Sequence, residues 1–186
     1  MKEIIRSVKP YWFYLICEGI KGAEIGKSKP TAQDWNKIVN LYCSKDKKSF
    51  KRIPKEHREK YRKFLGKIGA RFVCNKIEDF HQFILEPRNK YEQQTIDETL
   101  KLSCLSFGEL CEYLNERDYY KPFYLWHISN LIVYDEPREL SEFKKPCNHK
   151  NDCCTCIRYD YIGHRCYDEI TKAPQSWCYA ESEAKG

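Results

Sequence analysis

Short segments rich in β-branched and aromatic residues recur along the chain, and they constrain its fold more than any other feature. Clear examples are KEIIRSV, IVNLYCS, YLWHISNLIVYDEP and QSWCYAES, at residues 2–8, 38–44, 124–137 and 175–182. The segment KIGARFVCNKIEDF predicts one further, longer strand at 67–80. Pro137 is expected to end the strand predicted over 124–137. Strands of this kind bury one face, so a sheet is predicted at the centre of the fold.

Two short helices are predicted between these strands. Pro10 can open the first, over about 10–18, and Gly19 can end it as a C-terminal cap. Ser106 and Glu109 form a capping box that starts the second, over about 106–115. Residues 85–102 are polar with few apolar anchors and are predicted to form a loop. Many strands with few helices indicate an α+β fold whose sheet curls into a small barrel.

Length and composition exclude several classes of protein. The 186 residues are typical of one domain, and 14 Tyr, 9 Phe and 4 Trp exclude a disordered chain. No apolar run approaches the roughly 18 residues of a membrane span, so an integral membrane protein is excluded. Charged residues and Pro10 interrupt the N-terminal segment, which argues against a signal peptide. We therefore expect a cytoplasmic protein with no membrane partner.

The net charge of +6 comes from one segment, the basic insertion at about 45–65. Its stretch KDKKSFKRIPKEHREKYRK holds ten Lys or Arg against three Asp or Glu, so the rest of the chain is nearly neutral. Pro54 can begin an amphipathic helix there, after a flexible basic lead-in. The segment is either a phosphate-contacting surface or a solvated surface insertion. The candidate nucleic-acid contacts are Lys51, Arg52, Arg58 and Arg62.

Five of the eleven cysteines crowd into the second insertion, at about 147–166. Cys153 and Cys156 have the knuckle spacing with which two thiolates bind one zinc. Cys147 and Cys166 complete a predicted structural zinc site, for which Cys154, His149 and His164 are alternate ligands. Redox-active thiols and plain free cysteines are the alternatives. The other six cysteines lie in or beside apolar segments and are expected to be free and buried.

Four passages in this order resemble the ASCH domain, a branch of the PUA-like β-barrels. They are VKPYWFYLICEGIKGAEIGKSKP, IGARFVCNKIEDF, YLWHISNLIVYDEPRELSEF and PQSWCYAE. The first carries the family's signature at Gly19, Lys21, Glu24 and Lys27, and the last two resemble small phage and prophage ASCH-like proteins. The resemblance covers most of the chain outside the two insertions. It implies one PUA-like domain over residues 1–186 with flanking helices. The cysteine spacing adds the prediction that the C-terminal insertion is stapled by zinc.

The resemblance implies binding of RNA, another nucleic acid or a modified nucleotide in a cleft beside the barrel. Some ASCH proteins resemble amidohydrolases of acetylated cytidine, and others are linked to ribonuclease activity. The hydrolase branch relies on a Lys, a Thr and a Glu. Lys21 matches that Lys, but Glu24 stands where the Thr is expected, and Gly26 stands where many members have Arg. These departures weaken the hydrolase prediction more than the binding prediction.

The chemistry of the signature residues leaves three roles open. Lys21 and Glu24 can contact a ligand's oxygens and N–H groups, act as catalytic residues, or form a structural salt bridge. Trp12 and Trp177 are candidates for base stacking, and Gln175 and Ser176 for reading base edges. The favoured function is nucleic-acid or nucleotide binding. The alternatives are a small hydrolase that uses Lys21 and Glu24, and a phage-encoded inhibitor of a host protein.

Overall fold

A computed structural model describes residues 3–30, 37–80, 87, 89–114, 122–146 and 167–182. The chain divides into two compact units whose segments alternate along the sequence. The large-sheet unit comprises residues 1–11, 38–71 and 133–186, and the small-sheet unit comprises 12–37 and 72–132. The predicted single domain over 1–186 stays a prediction, and each unit is described by itself.

The described residues form ten strands and five α-helices, which confirms the α+β class. The strands are β1 Glu3–Val8, β2 Ala23–Gly26, β3 Lys37–Cys43, β4 Ile68–Cys74, β5 Ile77–Phe80, β6 Phe123–His127, β7 Ser129–Arg138, β8 Phe143–Pro146, β9 Tyr167–Glu169 and β10 Trp177–Ser182. The helices are α1 Pro10–Cys17, α2 Lys47–Phe50, α3 Lys55–Arg62, α4 Lys90–Ser103 and α5 Phe107–Leu114. A 3₁₀ turn lies at Leu140–Glu142. No described helix is long and apolar enough to cross a membrane.

A seven-stranded sheet dominates the large-sheet unit. Its strand order is β7-β4-β3-β1-β10-β8-β9. Strand β1 is central, parallel to β3 and antiparallel to β10. Apolar side chains from several strands form the core on this sheet, and they include Ile5, Ile68, Leu140, Phe143 and Ile170.

The small-sheet unit contains a three-stranded sheet of order β2-β6-β5, antiparallel throughout. Alternate residues of these strands, such as Ile25, Phe123 and Leu125, pack against Ile96 of α4 and Leu110 of α5. In the described part of the chain the strands form these two open sheets and do not close into a barrel. The prediction of a small closed barrel is therefore corrected to two open sheets for these residues.

Two long predicted strands are each broken in two. The segment 67–80 divides into β4 and β5, and the segment 124–137 divides into β6 and β7. The breaks coincide with tertiary hydrogen bonds, from the His127 N–H to the Lys76 carbonyl (3.0 Å) and from the Ile128 N–H to the Gly22 carbonyl (3.0 Å). Pro137 does not end β7, because an edge strand tolerates a residue without an N–H.

The predicted loop at 85–102 is wrong for most of its length, since residues 90–103 form α4. The Asn89 side chain caps the helix by accepting from the Glu92 N–H (2.9 Å). Its buried face is small and partly polar, consisting of Ile96, Thr99 and Ser103. Because two of these three buried residues are polar, the number of apolar residues in the segment did not indicate a helix. Its polar exposed side is consistent with a single face packed on the core.

Candidate nucleic-acid interface

The basic insertion is an ordered part of the large-sheet unit. The helix predicted to begin at Pro54 is confirmed as α3, and Ile53, Tyr61 and Phe64, whose spacing predicted it, are buried. The flexible lead-in is wrong, because Asp46 caps the helical turn α2 by accepting from the Ser49 N–H (3.0 Å). The segment thus has a fixed backbone on which its charges are displayed.

Nearly all cations of this insertion point to solvent. Nine of the ten Lys and Arg between residues 45 and 63 are exposed, and Glu56 and Glu59 are the exposed carboxylates of that stretch. Arg58 is the exception. Its guanidinium donates to the Ile53 carbonyl (2.8 Å) and to the Lys51 carbonyl, so it bridges the turn between α2 and α3. These contacts favour a structural role for Arg58 over the phosphate contact expected from the sequence.

Two exposed arginines of the insertion lie over aromatic rings. The guanidinium carbon of Arg52 is 4.2 Å from the ring centre of Tyr11, and that of Arg62 is 5.7 Å from the ring centre of Phe50. Arg62 also pairs with Glu59 at 3.2 Å. Tyr11 could not be predicted as part of this surface from the sequence. Its backbone N–H donates to the side chain of Ser49, which lies 38 residues further along the chain. No local signal connects residues so distant in sequence.

The signature residue Lys21 is positioned by the C-terminal end of α1. The Gly19 N–H bonds the Ile16 carbonyl (2.9 Å), and the Ile20 N–H bonds the Leu15 carbonyl (2.9 Å). This pair of bonds is a Schellman motif, and Gly19 adopts the positive φ of 72° that the motif requires. The Lys21 N–H also reaches the Leu15 carbonyl (3.0 Å), which fixes the start of the Lys21 side chain.

Lys21, Glu24 and Trp12 come together in the small-sheet unit. The Lys21 side chain is 2% exposed, and its ammonium donates to the Ser103 carbonyl and lies 3.4 Å from a Glu24 carboxylate oxygen. It also lies 5.0 Å from the ring centre of Trp12. A buried cation with these partners bridges α1, β2 and α4. The geometry favours a structural salt bridge, one of the three roles left open by the sequence.

Cys104 is a neighbour of this salt bridge. It follows α4 in the left-handed conformation, with a φ of 55°. Its thiol lies 3.4 Å from the Ile20 carbonyl oxygen. Burial raises the pKa of the Cys104 thiol, and the charge of Lys21 offsets only part of that rise. The thiol is therefore protonated at neutral pH, which argues against a thiolate nucleophile here.

We expect opposite effects on stability from alanine at two glycines of the small-sheet unit. Gly19→Ala should destabilise the protein by about 1–2 kcal/mol, since an added Cβ meets no atom but the φ of 72° is strained for alanine. Gly108→Ala, inside α5 and also in open space, should stabilise it by about 0.5–1 kcal/mol. Urea denaturation of both variants measures the difference. Equal effects would contradict the strained cap at Gly19.

The other predicted site residues are divided between the two units. In the small-sheet unit, the Lys27 ammonium lies 5.3 Å from the ring centre of Tyr113. In the large-sheet unit, Trp177 packs edge-on against Tyr179 with ring centres 5.3 Å apart. Gln175 is exposed, and the carbonyl of the half-buried Ser176 accepts from the Ser7 N–H (2.9 Å).

A second ionic cluster of the small-sheet unit contains His127, which lies 2.6 Å from Glu78. Burial would raise the pKa of Glu78, but the hydrogen bonds and charges of Lys76 and His127 outweigh it and lower that pKa. Trp126, the neighbour of His127, is fully buried and is part of the core. The cluster holds β5 and β6 together.

The predicted zinc ligands lie outside the described residues. They are Cys147, Cys153, Cys156 and Cys166, with the alternates Cys154, His149 and His164. Within the described ranges, no group of three or more His, Cys, Asp or Glu could hold a metal ion. Within the described residues none of the six scattered cysteines forms a disulfide, as expected, but only Cys43 and Cys74 are buried.

Two solved structures share this arrangement of strands and helices. The ASCH protein from Zymomonas mobilis is 13% identical, with a TM-score of 0.50 over 95% of this chain and 86% of that chain. A mutant of that protein gives 12% identity and a TM-score of 0.50 over 95% and 87%. The chain has the fold of an ASCH domain. No protein-family model and no curated protein matches its sequence, so the likeness to the ASCH structures concerns the fold.

Proposed function

We propose that the protein binds nucleic acid through the exposed cations of the basic insertion. The carrying observation is that nine of the ten Lys and Arg between residues 45 and 63 are exposed on an ordered backbone beside only two exposed carboxylates. A merely solvated insertion does not require a surplus of seven positive charges. Phosphate neutralisation by such cations releases counterions and supplies most of the non-specific binding energy.

The ASCH resemblance supports the same conclusion, since it implies nucleic-acid or modified-nucleotide binding. It also implies a ligand cleft at Lys21, Glu24 and Lys27. The contacts of Lys21 with Ser103 and Glu24 favour a structural role within that cleft. The hydrolase and the phage-encoded inhibitor stay predictions. Turnover that Lys21→Ala abolishes without unfolding the protein would identify the hydrolase. Tight binding of a host protein that persists when Lys21 and Glu24 are replaced would identify the inhibitor.

A salt titration tests the proposed function. We expect the affinity for a labelled oligonucleotide to fall steeply between about 50 and 200 mM salt, with a log–log slope of roughly −0.7 per phosphate contact for a single strand. Fluorescence anisotropy at a series of salt concentrations measures the slope. An affinity that does not change with salt, or no binding at about 50 mM, would contradict the proposal.

We also propose that the cysteine cluster holds one structural zinc. Soft thiolates in a segment poor in apolar anchors suit that metal and that role. We expect native mass spectrometry to show the mass of one zinc, and the Cys153→Ser, Cys156→Ser double variant to lose it. Cys104→Ser, at a free cysteine outside the cluster, should retain the metal. Wild-type protein that stays metal-free with added zinc would contradict the site.

A further inference from the structure

Arg52 and Tyr11 form a cation–π pair on the surface that we propose for nucleic-acid binding. The guanidinium carbon lies 4.2 Å from the ring centre, and Arg52 is exposed while Tyr11 is half-buried. A planar guanidinium supported from below by a ring is a platform on which a further flat group can stack. Arg62 over Phe50 repeats the arrangement at 5.7 Å on the same insertion.

Both members of the first pair are fixed by the same residue. The Ser49 hydroxyl accepts from the Tyr11 N–H (3.0 Å), and the Ser49 carbonyl accepts from the Arg52 N–H (3.0 Å). Ser49 is itself buried, and its N–H is bonded by the Asp46 carboxylate. These bonds position the backbone of Tyr11 and of Arg52, and the two side chains already contact each other, which limits the conformational entropy lost on binding.

We infer that the basic insertion binds single-stranded nucleic acid, with an unpaired base stacked on the Arg52–Tyr11 pair. This inference rests on the proposed function and names its ligand class. Unpaired bases stack on aromatic rings and on guanidinium planes, whereas the faces of duplex bases are already covered by their neighbours. The exposed Lys47, Lys48 and Lys51, on the same segment, contact the phosphates that flank the base.

The test compares four probes of about 12 nucleotides, within the range of known single-strand sites. They are an oligouridylate, an oligothymidylate, a duplex of matched length, and an abasic strand with the same phosphates and no bases. We expect both single strands to bind more tightly than the duplex and the abasic strand. The first two share the stacking chemistry, so tighter binding of either RNA or DNA supports the inference.

Arg52→Lys separates stacking from charge, because lysine keeps the positive charge but lacks the planar guanidinium on which a base can stack. We expect it to lower the affinity for the single strands by about fivefold or more, and to leave binding of the abasic strand unchanged. Lys51→Gln is the matched control, because it removes a charge outside the stack. It should lower the affinity for both kinds of strand by the same factor.

The two levels of the proposal fail differently. Equal affinity for all four probes, or an equal effect of Arg52→Lys on strands with and without bases, would overturn the stacking inference and leave nucleic-acid binding intact. A protein that binds none of the probes would overturn both. Arg52 is an exposed residue outside the cores of both sheets, so its replacement by lysine leaves the fold in place for the measurement.

Discussion

Glutamine at four exposed lysines of the basic insertion should lower the affinity for single-stranded nucleic acid by about two to three orders of magnitude at roughly 0.1 M salt. The four residues are Lys47, Lys48, Lys51 and Lys55. If each contacts one phosphate, the salt slope becomes shallower by about 0.7 per residue. The change removes charge and no buried contact, so stability should stay within about 0.5 kcal/mol.

A control variant removes the same number of charges elsewhere. Four of the lysines that are also exposed but lie outside the insertion are Lys90, Lys101, Lys145 and Lys172. Glutamine at these four positions gives an identical net charge and should leave most of the affinity and the salt slope unchanged. Equal losses in both variants would mean that overall charge, and not the insertion, drives binding. Anisotropy titrations over a range of salt distinguish these outcomes.

The largest effect on stability is expected at the buried salt bridge of the small-sheet unit. Lys21→Met should destabilise the protein by about 3–5 kcal/mol, because it leaves the mostly buried Glu24 carboxylate without its cation. Lys21→Met with Glu24→Gln should recover more than half of that loss. Removing both charges costs less than leaving one of them buried and uncompensated.

A double-mutant cycle with Glu24→Gln alone measures the coupling in urea denaturation. Coupling above about 1 kcal/mol would identify the pair as structural. Free energies that add within about 0.5 kcal/mol would contradict this role. A stable double variant that loses nucleotide binding or turnover would instead restore the functional roles of Lys21 and Glu24.

The parts of the fold that could be predicted depend on local signals. Gly19 ends α1, and Ser106 with Glu109 starts α5, because caps are formed by residues three or four positions apart. The helix after Pro54 follows from the spacing of Ile53, Tyr61 and Phe64. These elements agree with the sequence since each contains its own start or stop signal within one turn.

The parts that could not be predicted depend on tertiary contacts. The breaks in both long strands coincide with backbone bonds between segments some fifty residues or more apart, such as His127 to Lys76. Helix α4 buries only a narrow face, so its periodicity is weak in the sequence. The Arg52–Tyr11 pair depends on a hydrogen bond between Tyr11 and Ser49 that no spacing rule indicates.

Photo-crosslinking of a bound single strand, mapped by mass spectrometry, tests nucleic-acid binding by the basic insertion most directly. The account predicts crosslinks at Tyr11 and within residues 45–65. Crosslinks confined to the segment around Lys21, Glu24 and Lys27 would contradict it. They would place the ligand in the cleft implied by the ASCH resemblance and leave the basic insertion without the role proposed for it.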